Sequence, residues 1–297
     1  MKKIMIAFCL LIAASSHAQS DYAFRVLANK GANQVKSGDA WQPLKTGTQL
    51  QKNDELKVSA NASVGLVSIN GKPLEVKEAK TYKVIDLLAK VGTSSSVLNK
   101  YTDFILSSNS DEARKNRLTA TGAVHRGMED IKLFLPENQN AEVFNNVILF
   151  HWEATKGVAP FIVSLKDLYG TELLRIEVTE SSAKIDLSDP KIAKEAAVLV
   201  DVKSKTDSKS SSEQRLIKKI SPAKQEQIKK LLADVSSDLK EETAFNNYLL
   251  AAFYEENRLF IDAIACYEQA LKMDPENPTY KDAYEEFLLR NKLKSVK

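Results

Sequence analysis

Chemistry needs reactive side chains at defined spacings, and this sequence offers few. Its histidines are His17, His125 and His151, and its two cysteines are Cys9 and Cys266. His125 and His151 lie far apart, neither stands at a metal-ligand spacing, and Cys266 has no neighbouring cysteine. Asp167 and Glu172 are carboxylates of the kind that could pair as acid and base, but their spacing does not require it. Gly65 and Gly71 lack the spacing and the following Lys-Ser/Thr of a phosphate loop, and no nucleophile elbow occurs. The residues therefore predict no catalytic, cofactor or metal site, and the protein is expected not to be an enzyme.

The elements that would position such residues are those of an ordinary folded chain. Of 297 residues 43% are apolar and 27% charged, with only 10 Gly and 8 Pro, which excludes low-complexity disorder. Lys and Arg number 42 against 39 Asp and Glu, a balance with no field to steer nucleic acid. Met1-Lys2-Lys3, the apolar run Ile4 to Ala14 and the small residues Ser16 and Ala18 read as a secretory leader, residues 1–18, cut after Ala18. Cys9 leaves with it, so Cys266 is the sole remaining thiol and no internal disulfide is expected; its neighbours place it on an apolar helix as a buried, inert group. No later run approaches the roughly 20 apolar residues of a membrane span. The expected location is exported, periplasmic or envelope-associated.

Short β-type runs broken by turns fill residues 21–84. Phe24, Val26 and Ala28 alternate, as do Leu56 and Val58, and Asn70-Gly71 between apolar runs predicts a type I′ hairpin. The pattern suggests a small barrel or sandwich, with Trp41 in its core. The stretch Trp41-Gln42-Pro43-Leu44, Gly47, Leu50, Asp54, Leu56 and Asn70-Gly71 resembles the FecR-like β domain of bacterial envelope proteins. That resemblance implies a non-catalytic module able to bind another envelope component.

Residues 85–122 read as a helical connector and linker. Val97, Leu98, Tyr101, Phe104 and Ile105 fall on one helical face behind a serine cap, and Asp111, Glu112, Arg114, Lys115 and Arg117 form a solvated charged stretch. Strands resume across residues 123–220: Ile131 to Leu135, Val147 to Trp152, Phe161 to Leu165, Leu174 to Val178, Ala183 to Leu187, Ala197 to Val200 and Leu216-Ile217. Seven short strands with an early Trp suggest an antiparallel sandwich. The order Pro136, Trp152, Phe161, Gly170 resembles a fibronectin type III or other Ig-like domain, with Lys203 to Gln214 as a polar loop.

Ser221-Pro222 predicts a helix start, and Ile228, Leu231, Leu232, Val235 and Leu239 give it one apolar stripe. Leu250, Ala251, Tyr254, Ala263, Tyr267, Ala270 and Pro275 stand at the offsets of a tetratricopeptide repeat, which residues 221–297 resemble. Such repeats imply a peptide-binding scaffold. By that resemblance Tyr248, Ala252 and Glu255 would line the groove and contact the partner, with Lys292, Lys294 and Lys297 facing water.

The expected fold is thus multidomain: two all-β units, a small barrel or sandwich and an Ig-like sandwich, followed by an all-α tetratricopeptide-like tail. The expected function is non-catalytic, an envelope binding or scaffold protein holding another envelope protein or peptide, or an envelope polymer, without nucleic acid. The alternative is a FecR-like periplasmic regulator acting with a membrane partner, and the third a hydrolase without a recognisable motif. N-terminal mass spectrometry of the mature protein is expected to find Gln19 first; retention of Met1 would remove the export reading.

Overall fold

The computed structural model describes residues 22–110, 112, 113, 115, 130–137, 141–156, 159–207 and 209–294. The expected leader, Cys9, Asp111, Arg114, Arg117, His125 and Lys297 lie outside the described residues. A β-rich N-terminal region of antiparallel sheets is followed by a C-terminal helical region.

The first β unit comprises β1 (Tyr22–Lys30), β2 (Gln34–Ser37), β3 (Ala40–Pro43), β4 (Gln49–Gln51), β5 (Glu55–Lys57), β6 (Ser63–Ser68), β7 (Pro73–Val76) and β8 (Thr81–Lys83). They form two four-stranded antiparallel sheets, ordered β4-β1-β6-β7 and β3-β2-β5-β8. Phe24, Val26, Leu50, Leu56, Val64 and Leu66 fill the space between them. β6 is buried at all six positions, which a half-exposed strand could not be: its second face, with that of β1, lies under helices. A register shift between Val26 and Ala28 sends Ala28 to this second face, beside Leu27 and Val67. The period-2 alternation expected for Phe24, Val26 and Ala28 stops there for that reason.

Two further expectations are corrected in this unit. Trp41 is not in the core. It sits 37% exposed on the edge strand β3, with Lys57 Nζ 5.8 Å from its ring centroid, because β3 is exposed at every position. The β6–β7 hairpin forms at Asn70-Gly71, but of that pair only Gly71 takes positive φ, at 83°. Ser68 N donates to Lys72 O and Gly71 N to Ser68 O, both at 2.8 Å, which makes a three-residue loop ending in a left-handed glycine rather than a type I′ turn.

The second β unit comprises β9 (Ile131–Leu133), β10 (Glu142–Val143), β11 (Val147–Ala154), β12 (Phe161–Lys166), β13 (Glu172–Val178), β14 (Ser182–Asp186), β15 (Ala197–Ser204) and β16 (Arg215–Lys219). Its sheets run β10-β16-β15-β12-β13 and β14-β11-β9. Trp152 meets Phe161 edge-on, centroids 5.4 Å apart, in the core between them.

The named helices are α1 (Val84–Val91), α2 (Leu98–Ser108), α3 (Pro222–Ser236), α4 (Ala244–Glu256), α5 (Phe260–Met273) and α6 (Pro278–Arg290). Ser221, Thr243 and Asn277 accept from the amides of Lys224, Asn246 and Thr279 at the starts of α3, α4 and α6. Ten of the thirteen α4 residues are buried. A helix apolar on every side must be enclosed on every side, and α4 is: α5 and α6 cover part of it, Tyr101 of α2 meets Phe253 at 5.4 Å, and Phe245 reaches the outer face of β6. One apolar cluster therefore runs through the helices, α2 and the second faces of β1 and β6. The C-terminal helices thus share a core with the first β unit.

Gly65 makes that shared core close. A Cβ at this position would stand 2.4 Å from the Phe245 ring, so the α4 aromatic fits only over a bare backbone. Gly65→Val is expected to destabilise the protein by about 1–3 kcal/mol through overpacking. Combined with Phe245→Ala, which carries its own cavity cost, it should destabilise by less than the sum of the two single changes, and strictly additive single and double effects in urea titrations would refute the contact.

Candidate functional site

The helical region and the first β unit do not close completely. Between them lies a cleft of about 690 Å³ walled by β1, the β3–β4 loop, the end of α2, α4 and the first turn of α6. Ile105, Leu106, Tyr248 and Ala283 give it an apolar floor, Asn29, Thr46, Gln49, Asn109, Ser110 and Thr279 line it with amides and hydroxyls, and Arg25 and Asp282 are its charged members.

Each wall is fixed by bonds distant in sequence. On β1, Arg25 Nη1 lies 2.5 Å from Asp103 Oδ1 of α2, and its guanidinium stacks 4.8 Å from the Tyr22 centroid. Asn29 N donates to Thr279 Oγ1 at 3.1 Å, and that hydroxyl donates to Asn29 O at 3.4 Å, tying β1 to the start of α6. Lys30 Nζ lies 2.5 Å from Asp274 Oδ1 one turn earlier. Gly47, at φ 88°, donates its amide to Val26 O at 2.7 Å and turns the chain into β4.

Beneath the floor runs a buried polar network. Asn109 Nδ2 donates to Tyr248 Oη at 3.4 Å, and its Oδ1 accepts from Arg290 Nη1 at 3.3 Å. Arg290 grips Glu255 with two bonds of 2.5 and 2.6 Å. Asn291 Nδ2 at 2.9 Å and Tyr267 Oη at 3.4 Å complete the acceptor sites of the carboxylate. The Glu255 side chain is 4% exposed and that of Arg290 14%. Burial opposes the Arg290 charge, but the Glu255 carboxylate outweighs it and pushes the guanidinium pKa above its ordinary value. Burial holds the Tyr267 phenol far above its ordinary range, so it stays a donor.

The three residues expected to contact a partner are thus placed inside the molecule. Tyr248 is buried and reaches only the cleft floor, Ala252 is enclosed in the helical core, and Glu255 is the anion of the internal ion pair. The groove that a helix pair would leave open is filled by α2. A signal for this stood in the sequence: Ala244 to Glu256, AFNNYLLAAFYEE, carries apolar residues at every helical phase, the mark of a fully enclosed helix. The cleft residues themselves had no such signal, since they come from five separate segments.

The other singled-out groups are all engaged elsewhere. Asp167 accepts from the amides of Tyr169 and Thr171 at 2.9 and 2.8 Å, and these turn bonds, the Thr171 amide foremost, hold its carboxyl below the usual range. Glu172 Oε1 lies 3.9 Å from Arg175 Nη1. His151 Nε2 is 3.3 Å from Glu268 Oε2 across the β11–α5 contact. Cys266 packs partly buried against the helical core, and burial pushes its thiol pKa up. Among the described residues no group of three His, Cys, Asp or Glu is placed to hold a metal ion, and no helix is long and apolar enough to cross a membrane. No protein-family model matches the chain, and no curated protein matches it.

The Glu255–Arg290 pair supports the cleft from below, and removing one partner leaves the other charged and buried. Glu255→Gln is expected to cost about 3–5 kcal/mol in thermal or urea unfolding. The double change Glu255→Leu with Arg290→Met, which removes both charges and keeps the volume, should cost clearly less. Equal losses in the two variants would show that the ion pair is not the support.

Proposed function

We propose that this protein is an exported, non-catalytic binding component of the bacterial envelope whose cleft takes an extended peptide segment of another envelope protein. In this reading the first unit is a FecR-like β module, the second an Ig-like sandwich, and α4 and α5 a tetratricopeptide-like pair. Paired sheets in each β unit, antiparallel except for the parallel β10–β16 pair, and the α4–α5 hairpin support it, as does the leader expected at residues 1–18.

The observation that carries the reading is the chemistry of the cleft. An apolar floor under a rim made mostly of amides and hydroxyls, with Arg25 and Asp282 beside them, suits a peptide, whose side chains bury while its main-chain N–H and C=O groups meet polar partners. Its volume is that of a site for a few residues. A sugar ring would want an exposed aromatic platform, and the ring that reaches this floor, Tyr248, is buried. The Arg25 charge is engaged by Asp103, so a strongly anionic ligand has little to hold it.

Thr46 and Gln49 are exposed on the cleft rim, so replacing both with Trp should fill the mouth and change stability by no more than about 0.5 kcal/mol. Crosslinking in the native cell followed by affinity capture is expected to recover an envelope protein with the wild-type chain and to lose it with Thr46→Trp/Gln49→Trp. Recovery of the same protein by the double variant, or recovery of polysaccharide alone, would overturn the peptide reading.

A further inference from the structure

The first β unit leaves a broad sheet face open to solvent. In the sheet ordered β3-β2-β5-β8, Val35, Leu56 and Tyr82 turn into the core, so their neighbours along each strand stand on the outer face. The register sets Lys36 between Trp41 and Glu55, and Lys83 beside Glu55. In the adjacent row Lys57 lies between Gln34 and Thr81.

The chemistry of this face differs from that of the surface around it. The Trp41 indole is exposed, with the Lys57 ammonium 5.8 Å from its centroid. Lys30, Lys72, Lys77 and Lys80 of the same unit each hold a carboxylate. Among the described residues none of Lys36, Lys57 and Lys83 forms an ion pair. Glu55 stands between Lys36 and Lys83 without pairing to either, and Asp39 lies off the face in the β2–β3 turn. The face is therefore cationic, in a chain whose 42 Lys and Arg nearly balance 39 Asp and Glu.

We propose that this face binds an acidic polysaccharide, a chain of sugar rings that carry carboxylates. The C–H face of a sugar ring lies flat on an indole, apolar against apolar. Its carboxylate projects from the rim of the ring, where the Lys57 ammonium stands to meet it. Strands of a sheet are about 4.8 Å apart, so Trp41 on β3 and Lys83 on β8 lie roughly 14 Å apart across the face. That span suits a chain of several rings rather than a single sugar, and Lys36 and Lys83 lie along it to take further carboxylates. Charge complementarity thus selects an acidic chain over a neutral one. A nucleic-acid strand would call for a series of rings on which successive bases stack, and Trp41 is the aromatic ring of this face. None of these residues lines the cleft, so the site does not rest on the peptide reading.

Isothermal titration of the full chain with polygalacturonate and with alginate tests the site, with dextran as the uncharged control. At least one acidic polymer is expected to bind about tenfold or more tighter than dextran, and to weaken as salt rises. Trp41→Ala is expected to lose about tenfold in affinity or more, and Lys57→Gln/Lys83→Gln a similar factor with a flatter salt dependence. Lys205→Gln/Lys229→Gln removes the same charge from exposed positions of the second β unit and α3 and should bind as the wild type does. Thermal unfolding checks that each variant is folded; if Trp41→Ala is not, the Lys57→Gln/Lys83→Gln variant decides. Binding of neither acidic polymer, equal binding of dextran, or equally tight binding of polyglutamate or single-stranded DNA would each overturn the proposal. So would an unchanged affinity in folded Trp41→Ala or Lys57→Gln/Lys83→Gln, or an equal loss in Lys205→Gln/Lys229→Gln.

Discussion

Helix α4 has no polar face, and that single constraint organises the molecule. Its buried residues occur at every phase of the helix, from Phe245 and Tyr248 to Phe253 and Tyr254, so it is stable only when surrounded. A two-helix hairpin cannot surround one of its own members. The chain meets the demand by bringing in α6 from one direction, α2 from another, and the second faces of β1 and β6 from a third. The bare backbone of Gly65 under Phe245 is where this enclosure is tightest.

The two β units consequently hang from the helices by different physics. The first shares an apolar core with them, reinforced by Lys30–Asp274, Lys72–Asp238 and the Asn29–Thr279 exchange. Such an interface is costly to open in part, because every residue withdrawn leaves a cavity. The second unit takes Ile261 into its core and packs Phe134, Phe144 and Ile220 against the helical core, and it also meets α4 and α5 through polar groups: the Asp262 carboxylate, His151–Glu268 and Asn145–Tyr254.

The cleft follows from the same arrangement. Three pieces meeting around a cylinder leave a seam, and the seam between β1, α2 and α6 is lined by what each piece shows at its end: amides and hydroxyls from loops and helix termini, aliphatic side chains from α2 and α6. Its floor is kept from collapsing by the Arg290–Glu255 network, which ties α4, α5 and α6 to Asn109 at the end of α2. A site made this way has rigid support below and mobile-length side chains such as Gln49 at its mouth, a form suited to ligands with variable side chains and a constant backbone.

The sequence by itself determined the elements whose causes are local. Ser221-Pro222 starts α3 as cap chemistry requires, the apolar run from Val147 forms β11, the alternation from Phe161 forms β12, and the small-residue pattern through Ala263 and Ala270 forms α5. Each is decided by residues a few positions apart, through a cap, a turn or a periodicity. Even there, a neighbouring strand could alter the outcome, as the shift after Val26 did to Ala28. Which surfaces end inside was decided only by tertiary structure. Trp41 has the composition of a core residue and lies on an edge strand; Tyr248, Ala252 and Glu255 have the offsets of a groove and lie beneath α2 and α6. The cleft joins Asn29 to Thr279 across 250 positions of chain, and no periodicity reaches that far. Burial belongs to the pair of surfaces that meet, and a sequence read along its length sees only one of them at a time.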